Sequence, residues 1–142
     1  MGDVLTLDQA LDARARLRAA GGRLVFTNGH FDLLHVGHLD YLEKARALGD
    51  ALYVGVNGDG SSERLKGTGR PIVPADERAR LLAALLPVDA VVIFDADTAH
   101  SVIEALRPDI YVKGGDYRSK TLPERGLVEG YGGESILNSS LP

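Results

Sequence analysis

Apolar residues along the chain fall into two patterns, short continuous runs and longer stretches with apolar positions three or four apart. Continuous runs are typical of parallel strands buried on both faces, whereas the wider spacing is typical of amphipathic helices. The runs predict five strands, numbered one to five in chain order, at about 23–28, 51–56, 90–94, 109–113 and 134–137. The wider spacing predicts helices over about 7–19, 37–48, 74–86, 98–106 and 121–130.

The alternation of strands and helices predicts the α/β class. We expect one domain spanning residues 1–142, a Rossmann-like doubly wound sheet of about five parallel strands in the order 3-2-1-4-5, with helices on both faces. Ligands of such sheets bind at the carboxyl ends of the strands where the strand order reverses, here between predicted strands one and four. In the helix over 74–86, the predicted buried face consists of Leu81, Leu82, Leu85 and Leu86.

The segment after the first predicted strand, Thr27–His38, carries two glycines, an aspartate and three histidines. The helix that follows begins with unpaired backbone N–H groups and positive partial charge, which attract phosphate. His35 and His38 are three residues apart at that helix start, so both can face one ligand and donate hydrogen bonds to phosphate oxygens. Gly29 and Gly37 leave room for a phosphate to approach the backbone.

Two other interpretations of the histidine pair are open from the residues alone. Both could be ordinary surface or packed histidines, since two histidines around one glycine are a weak signal. They could also bind a metal ion, but the chain has no cysteine and two histidines leave such a site short of ligands. We therefore expect no resident metal, and the whole Thr27–His38 segment is more specific than the pair.

The segment after the second predicted strand, residues 57–74, is rich in glycine and is predicted to be a long loop. It holds the densest group of cations in an otherwise acidic chain, namely Arg64, Lys66 and Arg70. One interpretation is a solvated flexible loop; we favour a loop that binds substrate phosphates and is mobile until they arrive. Arg78, in the first turn of the next helix, lies against the helix dipole and needs an anion nearby.

The segment after the fourth predicted strand, Lys113–Tyr117, contains two adjacent glycines. Glycine lets the backbone approach a ligand closely, and Lys113 can reach a phosphate group. Asp116 can orient a substrate group or a hydrated Mg²⁺ ion. Because this segment leaves a parallel strand, it is a second candidate wall of the same site.

Composition and charge limit the partners of the chain. A net charge of −4 provides no basic field for non-specific nucleic-acid binding, and the absence of cysteine excludes a disulfide framework. No apolar run approaches the roughly 20 residues of a membrane span, and no apolar signal-peptide core follows Met1–Asp3. We expect a cytoplasmic protein that binds neither nucleic acid nor membranes.

The motifs together resemble those of a known family. The Thr-x-Gly-x-Phe-Asp turn and His-x-Gly-His of Thr27–His38 resemble the signature of nucleotidyltransferases with a cytidylyltransferase-like fold. Further stretches make the chain similar to the adenylyltransferase domain of heptose biosynthesis: Arg64–Gly67, Arg70–Pro74, Glu77 with Arg78, and Val112–Tyr117. That domain transfers AMP from ATP to D-glycero-β-D-manno-heptose 1-phosphate, and it is often fused to a sugar kinase.

The resemblance implies a role for each motif residue. The implied catalytic residues are His35, His38 and Lys66, and those implied to bind substrate phosphate are Arg70 and Arg78. The residues implied in nucleotide binding are Thr27, Asn28, Gly29, His30, Phe31, Asp32, Gly37, Lys113, Gly114 and Asp116. The resemblance also implies ATP with Mg²⁺, a sugar 1-phosphate as second substrate, and a homodimer.

The chain departs from the family pattern at two places. His30 stands where a small or apolar residue is expected, and it could add a third imidazole or simply cover the strand end. Family members continue into a Ser-Thr-Thr helix start that contacts the nucleotide phosphates, whereas residues 138–142 lack it, so we expect a truncated or atypical end. Two alternatives stay open: a CTP-dependent glycerol-3-phosphate cytidylyltransferase, and a nucleotide-binding module without turnover.

Overall fold

The computed structural model describes residues 2–96, 98–114 and 123–137. Within these ranges, six parallel strands form one sheet in the order β1-β4-β3-β2-β5-β6. The strands are β1 (Asp3–Leu5), β2 (Leu24–Gly29), β3 (Ala51–Asn57), β4 (Ala90–Phe94), β5 (Ile110–Lys113) and β6 (Glu134–Leu137). The helices are α1 (Leu7–Ala19), α2 (Val36–Arg46), α3 (Asp59–Lys66), α4 (Ala75–Ala83), α5 (His100–Leu106) and α6 (Pro123–Gly130).

The predicted α/β fold is confirmed, with one strand added. Predicted strands one to five correspond to β2–β6 and neighbour one another in the predicted order. The added strand β1 pairs with β4 at the sheet edge, where Asp3 lies opposite Ala90. Its three residues are exposed or half-buried, so it lacks the continuous apolar run that marks the interior strands.

Alternate residues of the strands supply two hydrophobic layers, one on each face of the sheet. On one face, Val25 and Val54 pack with α2 and α4. On the other, Leu24 and Tyr53 pack with α1, α5 and α6. The helices therefore cover both faces of the sheet, as the sequence predicts. The carboxyl ends of the strands are not covered by these helix layers and remain accessible to a ligand.

The predicted buried face of α4 is partly wrong. Leu81 and Leu86 are 54% and 89% exposed, and the helix ends at Ala83 rather than at Pro87. The buried side chains include Leu82 and three alanines spaced by four, namely Ala75, Ala79 and Ala83. The prediction used the leucines alone, and the small alanines are what allow α4 to approach the sheet.

The predicted loop over 57–74 is also revised, because its first half is helix α3. Only residues 67–74 form an irregular connection to α4. The many glycines and serines of residues 58–62 suggested a turn, but Gly58 is the N-cap and Gly67 the C-cap of a helix of two turns. Across the described ranges, no helix combines the length and apolar character needed to cross a membrane.

Candidate active site

A cavity of about 870 Å³ lies at the carboxyl ends of β2, β3 and β5, where the strand order reverses. Residues from the predicted site line it: Asn28, Gly29, His30, Phe31, Asp32, His35, Gly37, His38, Lys66, Arg70, Lys113 and Gly114. Of the other predicted residues, Asp116 lies outside the described residues, while Thr27 and Arg78 are buried beside the cavity. The topology therefore brings the turn after β2 and the turn after β5 to one place.

His35 and His38 form the N-terminal cap of α2. His35 Nδ1 accepts a hydrogen bond from the backbone N–H of Gly37 (3.1 Å), and His38 Nδ1 accepts one from the backbone N–H of His35 (3.2 Å). The ring centroids of the two histidines are 4.0 Å apart. Each imidazole thus satisfies a backbone donor that a helix start leaves unpaired.

These contacts also indicate which nitrogen of each neutral imidazole carries the proton. A ring nitrogen that accepts a hydrogen bond carries no proton, so a neutral ring must hold its proton on Nε2. Burial lowers the pKa of His38, and the adjacent His35 adds to the decrease. The contacts of Nδ1 with the backbone therefore leave Nε2–H as the donor that each ring can offer near this helix start.

The ring of Phe31 packs against the imidazole of His38. The Phe31 backbone φ of 50° is unusual for a residue with a side chain, and its ring contacts His38 edge-on at 5.6 Å between centroids. A Cβ on Gly29 would lie 3.1 Å from the Phe31 ring, so this glycine accommodates the ring. Phe31 is 8% exposed, and its main contribution is to position the histidine.

Thr27 does not reach the cavity, which revises its predicted contact with the nucleotide. It is fully buried and hydrogen-bonds the hydroxyl of Tyr41, which in turn donates to the Val112 carbonyl oxygen (3.4 Å). Burial raises the pKa of the Tyr41 hydroxyl, so this group stays protonated. Tyr41 ties β2, α2 and β5 together and lines the cavity. Its position on the buried face of α2 was the only signal for it in the sequence.

The start of α3 is occupied by a carboxylate of the protein itself. The backbone N–H of Ser61 donates to Asp95 Oδ1 (2.9 Å), and Arg64 Nη2 donates to the Asp95 carbonyl oxygen (2.6 Å). A Cβ on Gly58 would lie 2.6 Å from Asp95 Oδ1. The glycines here make room for Asp95, so this helix start does not present its N–H groups to a substrate phosphate.

Arg78 is a buried clamp and does not face the cavity, which revises its predicted contact with a substrate phosphate. Its guanidinium donates to the carbonyl oxygens of Val73 (2.7 Å), His30 (2.6 Å) and Asn57 (2.8 Å), and pairs with Asp59 Oδ1 (2.9 Å). The anion that its place at a helix start requires is therefore Asp59. Arg78 holds the ends of β2 and β3 against α4.

Asp32 anchors the connection between α3 and α4. Its carboxylate accepts hydrogen bonds from the backbone N–H groups of Ile72 and Val73 (2.9 Å each) and pairs with Arg70 Nη1 (2.9 Å). Burial alone would raise the pKa of Asp32, but the two N–H donors and Arg70 outweigh it and lower that pKa to about 2. Asp32 is thus an ionised anchor that places Arg70 at the rim of the cavity.

His30 and Lys66 complete this side of the cavity. His30 Nδ1 lies 2.8 Å from the hydroxyl oxygen of Ser62, a residue for which the sequence predicted no role. Burial, followed by the charges of Lys66 and Arg78, lowers the pKa of His30 to about 4. The side chain of Lys66 is exposed at the cavity, and none of the ion pairs found among the described residues includes it.

On the side of β5 and α6, the described charged residues that line the cavity are Lys113 and Glu124. Lys113 Nζ lies 3.6 Å from Glu124 Oε1, and both side chains are largely buried. A Cβ on Gly114 would lie 3.4 Å from the Tyr41 ring, in ordinary contact distance. Glu124 was not predicted, because a lone glutamate in a predicted surface helix carries no signal of its own. Among the residues described, no three histidine, aspartate or glutamate side chains come together to hold a metal ion.

Sequence comparison shows which known proteins this chain is similar to. A family model described as cytidylyltransferase-like matches residues 26–139. The chain is 58% identical over 116 residues to the bifunctional protein HldE of Syntrophotalea carbinolica. This alignment covers 82% of the chain and 24% of that protein. It is 53% identical over 130 residues to HldE of Geobacter sulfurreducens, covering 92% and 26%. The chain spans about a quarter of the length of these curated relatives.

Two solved structures share the fold. The lipopolysaccharide core biosynthesis protein from Thermoplasma volcanium superposes with a TM-score of 0.71 at 28% identity, over 82% of this chain and 96% of that one. Pantoate-beta-alanine ligase from Francisella tularensis, complexed with beta-gamma ATP and beta-alanine, gives a TM-score of 0.67 at 12% identity, over 96% and 66%. The second likeness concerns the fold alone.

Proposed function

The chain belongs to the cytidylyltransferase-like family, and from this premise we propose that it transfers AMP from ATP to a sugar 1-phosphate, with D-glycero-β-D-manno-heptose 1-phosphate as the acceptor. The family match and the HldE relatives support a nucleotidyltransferase. The observation that carries the reaction type is the pair of Nε2–H donors from His35 and His38 at the start of α2 in a large open cavity.

The proposed reaction is a direct in-line displacement. An oxygen of the sugar 1-phosphate attacks the α-phosphorus of ATP and forms a new P–O bond. The bond from that phosphorus to the bridging oxygen breaks, and pyrophosphate leaves with the electron pair. No covalent protein intermediate is required, so the protein contributes positioning and stabilisation of developing charge.

Each cavity residue has a defined part in this proposal. His35 and His38 donate hydrogen bonds to phosphate oxygens at the reacting centre, where negative charge increases in the transition state. Lys66 supplies an exposed positive charge, and Arg70 supplies a second one held in place by Asp32. Lys113 lines the opposite wall of the cavity, at the end of β5, where it can approach the nucleotide.

Magnesium fits this site as part of the nucleotide substrate. Of the described acidic residues that line the cavity, Asp32 is held by two backbone N–H groups and Arg70, and Glu124 contacts Lys113. We therefore propose that Mg²⁺ enters with ATP, bound to its phosphate oxygens. We also propose a cytoplasmic location, as the composition of the chain predicts, and a homodimer, as the family resemblance implies.

The test is pyrophosphate release over a matrix of nucleotides and acceptors. ATP, CTP and GTP are each combined with heptose 1-phosphate, with another sugar 1-phosphate and with glycerol 3-phosphate. The proposal is supported if pyrophosphate is released from the combination of ATP with heptose 1-phosphate and from no other combination. Release from CTP with glycerol 3-phosphate would identify the alternative cytidylyltransferase, and nucleotide binding without release in any combination would identify a binding module.

A further inference from the structure

Glu124 is an unusual group in the wall of the cavity. It lies in the first turn of α6, is 4% exposed, and lines the same cavity as His35 and His38. Charged side chains are seldom so deeply buried unless every oxygen has a partner. Among the described residues, Oε1 has only the long contact of 3.6 Å with Lys113 Nζ, which exceeds an ordinary N–H···O hydrogen bond.

The second carboxylate oxygen of Glu124 has no partner at all in the described part of the chain. Oε2 is buried and accepts no hydrogen bond there. Buried polar atoms are nearly always hydrogen-bonded, and a carboxylate oxygen left without a donor is costly. The ion pair with Lys113 therefore accounts for Oε1 alone. Oε2 needs a hydrogen-bond donor that the described residues do not supply.

The chemistry of that donor follows from charge. A carboxylate repels phosphate oxygens, so Glu124 is unsuited to bind the triphosphate or the acceptor phosphate. The phosphate-binding groups, His35, His38 and Lys66, lie on other elements of the cavity. Glu124 instead suits a neutral hydrogen-bond donor, and a hydroxyl group meets that requirement.

We infer that Glu124 accepts a hydrogen bond from a ribose hydroxyl of the bound nucleotide, and so selects ribonucleotides over deoxyribonucleotides. This inference rests on the proposed function. The ribose is bonded directly to the α-phosphate, which the imidazoles bind in the proposed reaction, so its hydroxyls must lie in the same cavity. In dinucleotide-binding sheets of this general architecture an acidic side chain likewise accepts a hydrogen bond from a ribose hydroxyl.

Lys113 then has a second task besides any contact with phosphate. Its ammonium group pairs with Oε1 and so orients the carboxylate, which leaves Oε2 for the substrate. A purely structural ion pair would behave differently, because its loss would weaken every nucleotide by the same factor. The ratio of affinities for matched nucleotides with and without a hydroxyl separates the two roles.

The experiment measures binding of ATP, 2′-deoxyATP and 3′-deoxyATP with Mg²⁺ by calorimetry, and repeats it with CTP and 2′-deoxyCTP. The wild-type chain should bind at least one deoxynucleotide about tenfold to a hundredfold more weakly than its ribonucleotide, which is the usual effect of losing a hydrogen bond to a charged group. Glu124→Gln, which has nearly the same shape, should bind the ribonucleotide more weakly and leave the deoxynucleotide nearly unchanged.

Two further variants keep the result interpretable. Lys113→Gln with Glu124→Gln removes both charges, so a collapse of the affinity ratio there cannot come from an unpaired lysine. Glu129→Gln is the matched control, because Glu129 lies on the exposed side of the same helix and pairs with Arg125. It should preserve the wild-type ratio.

The inference is overturned if the wild-type chain does not distinguish ribose from deoxyribose, or if Glu124→Gln weakens both by the same factor. It is likewise overturned if Glu124→Gln changes selectivity for the base and not for the sugar. Pyrophosphate release in the nucleotide matrix is a separate readout. The proposed function can therefore hold while the role of Glu124 fails.

Discussion

Two glycine-rich segments follow neighbouring strands at the same edge of the sheet, and the protein uses them in opposite ways. In residues 27–38, after β2, the imidazoles of His35 and His38 line the cavity with their Nδ1 atoms on the backbone. In residues 57–74, after β3, the cations are directed mainly at the protein itself. Arg70 pairs with Asp32, and Arg64 donates to the Asp95 carbonyl oxygen.

The difference teaches that a glycine and a cation do not by themselves identify a phosphate site. Gly37 lies in the first turn of α2, and Gly58 is the N-cap of α3. Of these two helix starts, only that of α2 faces the cavity, because Asp95 fills the start of α3. The deciding groups are carboxylates that lie far away in sequence. The second segment thus serves mainly to build the wall against which the first segment works.

Arg78 gives the largest expected effect and tests the structural half of this comparison. Arg78→Ala removes the arginine donor from three carbonyl oxygens and the ion-pair partner of Asp59, which keeps the Ala75 N–H. Because a large buried side chain and several buried hydrogen bonds are lost together, the free energy of unfolding should fall by roughly 3–5 kcal/mol. Arg80→Ala, on the exposed face of the same helix, is the control and should change stability little. Urea denaturation measures both. Near-wild-type stability of Arg78→Ala would restore Arg78 as a candidate substrate ligand.

His35 gives the next largest effect and tests the catalytic half. Removing one transition-state hydrogen bond typically costs about 2.7–4 kcal/mol, so His35→Ala and His35→Asn should each lower turnover by about 10²–10³. Only the alanine variant should also lose stability, by about 1 kcal/mol, because asparagine is a good N-cap and alanine is not. Steady-state rates and urea denaturation separate the two losses.

The contrary result for His35 is equally specific. If His35→Asn retains full turnover, the imidazole serves only as a helix cap, and the phosphate-binding role assigned to it is wrong. The same pair of substitutions at His38 provides an independent check, since the Nδ1 of His38 caps a different backbone N–H group.

The strand order and the location of the site could be predicted because both depend on local patterns. Continuous apolar runs identified β2 to β6, and the turn after β2 carries its chemistry within a dozen consecutive residues. The short edge strand β1 and the two-turn helix α3 escaped because neither has an apolar pattern of its own; the first depends on β4 and the second on Asp95.

The internal partners of the charged residues could not be predicted for the same reason. Arg78 and Asp59 are nineteen residues apart, and Arg70 and Asp32 are thirty-eight apart. Whether an arginine faces a substrate or a carboxylate depends on which chain segments the sheet brings together. Glu124 is a further example, since its place beside Lys113 depends on how the fold brings the start of α6 to the end of β5.

Lys66 tests whether the second segment takes any direct part in binding. Its exposed ammonium group lines the cavity, so Lys66→Ala should raise the KM for a phosphate substrate by up to about tenfold, and the difference from wild type should shrink in high salt through screening. Arg64→Ala is the control, because the Arg64 guanidinium serves the Asp95 carbonyl oxygen. Equal KM values for the two variants would reduce the segment to a structural role.

His30 gives the smallest effect near neutral pH, and it lies where the two segments meet, with Nδ1 close to the hydroxyl of Ser62 in α3. Its pKa is about 4 in the folded chain, against an ordinary value of 6.5 for a solvated histidine, so the unfolded chain takes up the proton first as the pH falls. The stability that His30 contributes is therefore complete above pH 6.5 and is lost progressively between 6.5 and 4. His30→Asn, which can keep the contact with Ser62, should show a flatter stability profile across that interval. Asp32 does not interfere, because its lowered pKa confines its own effect to more acidic solutions. Urea denaturation of both proteins at several pH values across that interval measures the difference, and parallel profiles would show that His30 titrates alike in the folded and unfolded chains.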